Sequence, residues 1–187
     1  MSFKKKNLVF SDNAIYYYIQ DNKQYVMMDW EKPLMELQAN YACENGGDIL
    51  EIGFGMGISA DYIQSNKIKS HTIIEIHPDV LNKAFEWAKG KPNVNIMAGD
   101  WYNMKNLLGT YDGIFLDTYG DKNIYKFKDV INDIAKPGCN ITWWNNSIKP
   151  NHNTLGIENV VYQEVNISPN KNGYFETSKY YLPKKQM

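Results

Sequence analysis

Residues 48–53, DILEIG, form a short apolar run interrupted by Glu51, the length and composition of a buried strand. Glycine then falls at every second position, Gly53, Gly55 and Gly57, and Ile58, Ala60, Tyr62 and Ile63 follow as the apolar members of an amphipathic stretch. The pattern predicts strand 48–53, a tight turn and helix 57–66. It continues as strand 71–76, helix 78–89, strand 93–98, a short helix 101–108, strand 111–117, helix 122–136 and strand 139–145. KPG at 136–138 reads as the turn that ends that helix and leads into the fifth strand. Upstream, residues 31–44 read as a helix with Pro33 in its first turn and Leu34, Leu37 and Ala42 facing the core. Downstream, IENVVYQEVNI and GYFETSKYYLP read as two strands around the turn SPNKNG.

Strands alternating with helices imply an α/β fold: a doubly wound, mostly parallel seven-stranded sheet closed by an antiparallel C-terminal hairpin. Between the fifth strand and the hairpin only about a dozen residues remain, too few for a crossover helix. Residues 1–30, rich in tyrosine and polar groups, read as an N-terminal lid, and 31–187 as the core of a single domain.

The glycine turn places backbone where a nucleotide-like ligand can approach it, because side chains there would block both turn and ligand. A dinucleotide fold wants G-x-G-x-x-G, and the third glycine would fall on Ile58. The spacing is instead E-x-G-x-G-x-G from Glu51, which resembles motif I of the class I S-adenosylmethionine-dependent methyltransferases. Later strands end at Glu75, at Gly99-Asp100 and at Asp117, so four strand ends carry candidate contacts, and ligands of such sheets bind outside the carboxyl ends of the strands. Glu75 is placed to accept from both hydroxyls of a ribose.

Composition narrows the partners. The formal charge is −1, with no basic excess to hold a nucleic-acid backbone, and no apolar run approaches the ~20 residues of a membrane span. MSFKKKNLVF lacks the apolar stretch of a signal peptide, and Cys43 and Cys139 read as free thiols, so the expectation is a cytoplasmic protein acting on a small molecule, with neither nucleic acid nor membrane as partner. All 20 basic residues are lysine. No arginine fork is present to grip a substrate carboxylate, which leaves backbone N–H groups, hydroxyls or lysines for that task.

A closer likeness lies outside the glycine turn. VMMDWEKPLM before it, EIGFGMG within it and LDTYGD at the fourth strand end together resemble the guanidinoacetate N-methyltransferase family, as does the tail with its valine-rich strand, polar turn and aromatic strand. The resemblance implies S-adenosylmethionine as cofactor and a guanidino or related cationic amine as acceptor, without a metal. By it, Glu31 and Asp117 hold the guanidinium, and Asp117 takes a proton as the nitrogen attacks the methyl. Gly53, Phe54, Gly55, Met56, Gly57 and Ile58 line the methionine portion and ribose. Glu75, Ile76 and His77 border the ribose, Gly99 and Asp100 the adenine, and Met35 packs from the entry helix. Met27 flanks the acceptor. The family's acceptor-carboxylate contacts fall on Asn146 and Ser147, of which Ser147 alone preserves a hydroxyl.

The residues also admit plainer readings. Asp117 has an alternative as a helix N-cap, for which Asp121 is better placed, and Glu31 could complement the dipole of its helix. Asp100 has a turn role open to it, and the methionines suit a core. Trp143-Trp144 at the fifth strand end could wall the acceptor pocket or lie in the core. Two other functions stay in view: a protein arginine methyltransferase, and a silent protein that binds the cofactor without turnover.

Overall fold

The computed structural model describes residues 3–149, 152–170 and 173–187. Alternation along each strand sets the layers. In β4 (Asp48–Ile52), Ile49 turns to one face of the sheet and Leu50 with Ile52 to the other. The first face is covered by α1 (Lys32–Cys43) and α2 (Ile58–Ser65), whose Leu34, Met35, Ala39 and Ile63 pack with Ile49 and Phe115. The second is covered by α5 (Phe127–Ile134), whose Phe127, Val130, Ile131 and Ile134 pack with Leu50, Ile114, Ile141 and Trp143. Between these layers run β5 (Ser70–Glu75), β6 (Val94–Ala98), β7 (Tyr111–Leu116), β8 (Ala135–Trp143), β9 (Val161–Asn166) and β10 (Lys179–Gln186), with α3 (Pro78–Ala88) and α4 (Trp101–Met104) as the further helices.

The sheet order is β6-β5-β4-β7-β8-β10-β9. The five strands from β6 to β8 pair in parallel, and β10 runs antiparallel to both neighbours. This is the expected seven-stranded, mostly parallel sheet with its antiparallel C-terminal hairpin. Part of the expected hairpin turn, at 171–172, lies outside the described residues.

Two elements differ from the sequence reading. KPG at 136–138 lies inside β8: α5 ends at Ile134, Ala135 is already extended, and the register on β7 jumps from Tyr111↔Ala135 to Gly113↔Asn140. Gly138, at φ 82°, forms the kink that a bulge needs, and its N–H donates to the Met187 carbonyl at 2.8 Å. The sequence reading assigns no strands to the lid residues before α1. They form a separate antiparallel sheet of β1 (Val9–Ser11), β2 (Ala14–Ile19) and β3 (Asn22–Met28), with Gln20-Asp21 as a two-residue turn.

Candidate active site

The carboxyl ends of the parallel strands face a cavity of about 460 Å³. Its floor is the glycine turn. A side chain at Gly53 (φ 95°) would place its Cβ 1.8 Å from the Asp117 carbonyl oxygen, so β4 and β7 approach here as only glycine permits. Glu75 ties the turn to the neighbouring strand end: its Oε2 accepts from Phe54 N (3.0 Å), and its Oε1 from Ile76 N and His77 N (2.7 Å each). Asp100 caps α4 by accepting from Tyr102 N at 2.9 Å. Gly53, Phe54, Gly55, Glu75, Ile76, Gly99, Asp100, Asp117 and Met27 all line this cavity.

Other candidates lie elsewhere. Met35 is fully buried in the core beneath α1 and lines neither this cavity nor the next. Met56, Gly57 and Ile58 begin α2 behind the wall; Gly57 is that helix's N-cap, and the Met56 N–H donates to Met27 Sδ at 3.2 Å. His77 is buried and caps α3, its Nδ1 accepting from Asp79 N at 3.2 Å. The imidazole proton therefore sits on Nε2, which donates to the Lys6 carbonyl at 2.9 Å and fastens the N-terminal segment to the cavity mouth. Phe3 packs against both His77 and Tyr119, and the hydroxyls of Tyr17 and Tyr119 meet at 3.3 Å across the same mouth.

A second cavity of about 450 Å³ adjoins the first through Val26 and the segment from Asp117 to Gly120, which line both. Its further walls include Lys23, Tyr25, Glu31, Trp144, Asn146 and Tyr174. Glu31 and Asp117 therefore face one space. Glu31 is 2% exposed, and both of its donors, Met28 N (2.6 Å) and the Tyr174 hydroxyl, fall on Oε1. Oε2 has no donor among the described residues. Burial pushes the Glu31 carboxyl up to about 8, and the negative charge of Asp117 adds to the rise. Burial likewise pushes Asp117 up to about 7, with Glu51 and Glu75 contributing. Asp117 caps no helix: α5 starts after Lys126 without a side-chain cap, and Asp121 takes the local capping work by accepting from Asn123 N at 2.7 Å.

Asn146 lines the second cavity, and its Oδ1 accepts from Trp144 Nε1 at 2.8 Å. Ser147 does not line it. Its hydroxyl serves the following turn instead, meeting Lys149 N at 3.2 Å and His152 Nδ1 at 2.9 Å. Of the two tryptophans, Trp144 is on the wall and Trp143 is buried in the core. Three wall residues have no role in the sequence reading: Tyr17, Tyr174, and Tyr119, which stands inside the LDTYGD motif two positions after Asp117. Among the described residues no group of three His, Cys, Asp or Glu could hold a metal ion, and no helix is long and apolar enough to cross a membrane.

Comparison with known proteins agrees with the motifs. The family description Guanidinoacetate N-methyltransferase matches residues 18–181. The protein arginine N-methyltransferase 2 of Saccharomyces cerevisiae is 38% identical over 148 residues, which is 72% of this chain and 35% of that protein. The protein of the same name from Debaryomyces hansenii is 30% identical over 181 residues, 88% of this chain and 39% of that one. The chain thus spans well under half the length of these relatives. In fold, it is similar to precorrin-6y C5,15-methyltransferase from Geobacter metallireducens (TM-score 0.62, 16% identity, 85% of this chain and 87% of that one). Spermidine synthase from Thermotoga maritima shares the fold as well (TM-score 0.66, 10% identity, 94% and 65%). With the family match covering nearly the whole of its length, the chain belongs to the guanidinoacetate N-methyltransferase family of S-adenosylmethionine-dependent methyltransferases.

Proposed function

We propose that the protein methylates a nitrogen of a guanidino group on a small cationic acceptor. The observation that carries this reading is the pair Glu31 and Asp117, two acids of raised pKa on one cavity that opens onto the glycine-turn cavity at Asp117.

The first cavity suits S-adenosylmethionine. Its volume lies in the range of small-molecule sites, about 300–1,000 Å³, and the glycine turn lines it with backbone alone at Gly53 and Gly55. A carboxylate offers about four lone-pair directions, and backbone N–H groups fill three of those on Glu75. Glu75 thus keeps capacity for one ribose hydroxyl rather than two. Gly99 and Asp100 border the adenine. When bound, the cofactor supplies a methyl group on a positively charged sulfur.

The chain's own residues then have three tasks. Glu31 presents Oε2 to the guanidinium N–H groups, and its other oxygen is fixed by Met28 and Tyr174. Asp117, between the two cavities, accepts from a second N–H and orients that nitrogen toward the sulfur-borne methyl. A free guanidinium has a pKa above ~12 and offers no lone pair, so the proton has to leave as the new bond forms. Asp117 at about 7 is matched to receive it near neutral pH.

A second reading, methylation of arginine in a protein, is favoured by the names of the relatives at 30–38% identity. Both are tested with methyl-labelled cofactor offered to guanidinoacetate, agmatine, free arginine, a protein extract, a catechol and a carboxylic acid that carries no guanidine. Label in a small guanidine supports the first reading, and label in protein alone the second. Label appearing only in a catechol or a carboxylic acid removes both.

A further inference from the structure

Behind the glycine turn runs a line of buried polar groups that the transfer step leaves unused. Glu51 on β4 and His71 on β5 are fully buried, and Ser59 in the first turn of α2 is nearly so. Glu51 Oε1 accepts from the Ser59 hydroxyl, and Glu51 Oε2 lies 2.9 Å from His71 Nε2. The opposite ring nitrogen, His71 Nδ1, lies 3.2 Å from Gln64 Nε2. An amide nitrogen can only donate, so Nδ1 accepts and the proton of a neutral imidazole sits on Nε2, directed at Glu51. Each carboxylate oxygen thereby has one donor.

The consequence falls on Ser59. A serine hydroxyl has one proton, and this one is committed to Glu51. What remains is oxygen lone pairs, on a residue that lines the first cavity. Such a group can only accept from a ligand, and with a carboxylate directly behind it a cationic donor is held best. Strand order says which end of the cofactor that is. Glu75 and Asp100 stand at the ends of β5 and β6, toward the adenosine side, and the β4–α2 turn lies between them and Asp117.

We propose that Ser59 accepts a hydrogen bond from the ammonium at the amino-acid end of the cofactor, with Glu51 and His71 as positioning residues that hold the hydroxyl in its accepting orientation. This rests on S-adenosylmethionine being the ligand of this cavity.

Calorimetric titration with two probes tests it: S-adenosylhomocysteine, and 5′-methylthioadenosine, which has the nucleoside and sulfur without the amino-acid end. Ser59→Ala weakens S-adenosylhomocysteine by about tenfold or more, the worth of one hydrogen bond to a charged group, and leaves methylthioadenosine unchanged. Ser59→Thr retains the hydroxyl and restores the affinity. Glu51→Gln can donate to Ser59 and turn its proton toward the cavity, so it shows the same selective loss. It also carries the comparison should the alanine variant not fold. Equal losses for both probes, or none for S-adenosylhomocysteine, overturn the proposal. Failure of the unaltered protein to bind either probe withdraws the cofactor reading itself.

Discussion

At the scale of single residues, Glu31 depends on a partner far along the chain. The Tyr174 hydroxyl and Met28 N–H share its Oε1, and the two donors offset part of the burial that raises the acid. Tyr174→Phe therefore moves the acidic limb of the kcat/KM profile to higher pH and raises the acceptor KM, measurable by initial rates across a pH series. The proposed function needs both acids ionised to hold a cation, so in the unaltered protein kcat/KM should rise with pH and inflect between about 7 and about 8. Asp117→Asn removes the lower inflection and lowers kcat by about 10²–10⁴-fold, with S-adenosylhomocysteine affinity retained in calorimetry. Glu31 and Asp117 were legible because each stands inside a compact motif. Tyr174 was not, since its partnership spans 143 positions and only folding brings it to the acid.

At the scale of elements, the β4–α2 unit was readable because one local pattern specifies it: an apolar run, spaced glycines and an amphipathic stretch. The bulge in β8 was hidden by the same logic. Pro and Gly commonly end helices, and nothing local reports that Gly138 would find a partner in Met187. The tyrosine-rich strands β2 and β3 carry strand propensity, yet the bulge between Ile15 and Tyr16 breaks the clean alternation that would have declared them. Packing between elements gives a sharper test. A Cβ on Gly113 of β7 would lie 1.9 Å from the Ala42 carbonyl oxygen of α1, whereas one on Gly109 meets nothing within 4 Å. Gly113→Ala should cost about 2–3 kcal/mol in urea unfolding through overpacking, and Gly109→Ala should stay within about 0.5 kcal/mol.

At the scale of the whole molecule, charge is arranged unequally along the sheet. At the amino ends of its strands, Lys136 bridges Asp48 (2.9 Å) and Asp112 (2.6 Å) and, with Ser70, holds Asp48 down to about 2. At the carboxyl ends, Glu31 and Asp117 form no ion pair with a lysine among the described residues. Their carboxyls rise from 4.5 and 3.8 to about 8 and about 7, so the folded protein retains protons that the unfolded chain has lost. The stability they contribute is full below the unfolded values and is lost as pH rises through about 7 to 8. Asp48 acts in a separate window: its contribution is present above 3.8 and is lost as pH falls through about 2. The melting temperature of the ligand-free protein should therefore fall from about pH 4.5 to about pH 8 and level off above it, and the fall should shrink when Glu31→Gln and Asp117→Asn are combined.

The half-satisfied carboxylate of Glu31 meets a chain of 187 residues without a single arginine. None of these residues supplies a guanidinium that could fold back into the pocket. If guanidine is the acceptor as proposed, methyl label found at a guanidine nitrogen in a preparation of these 187 residues would be contamination rather than turnover.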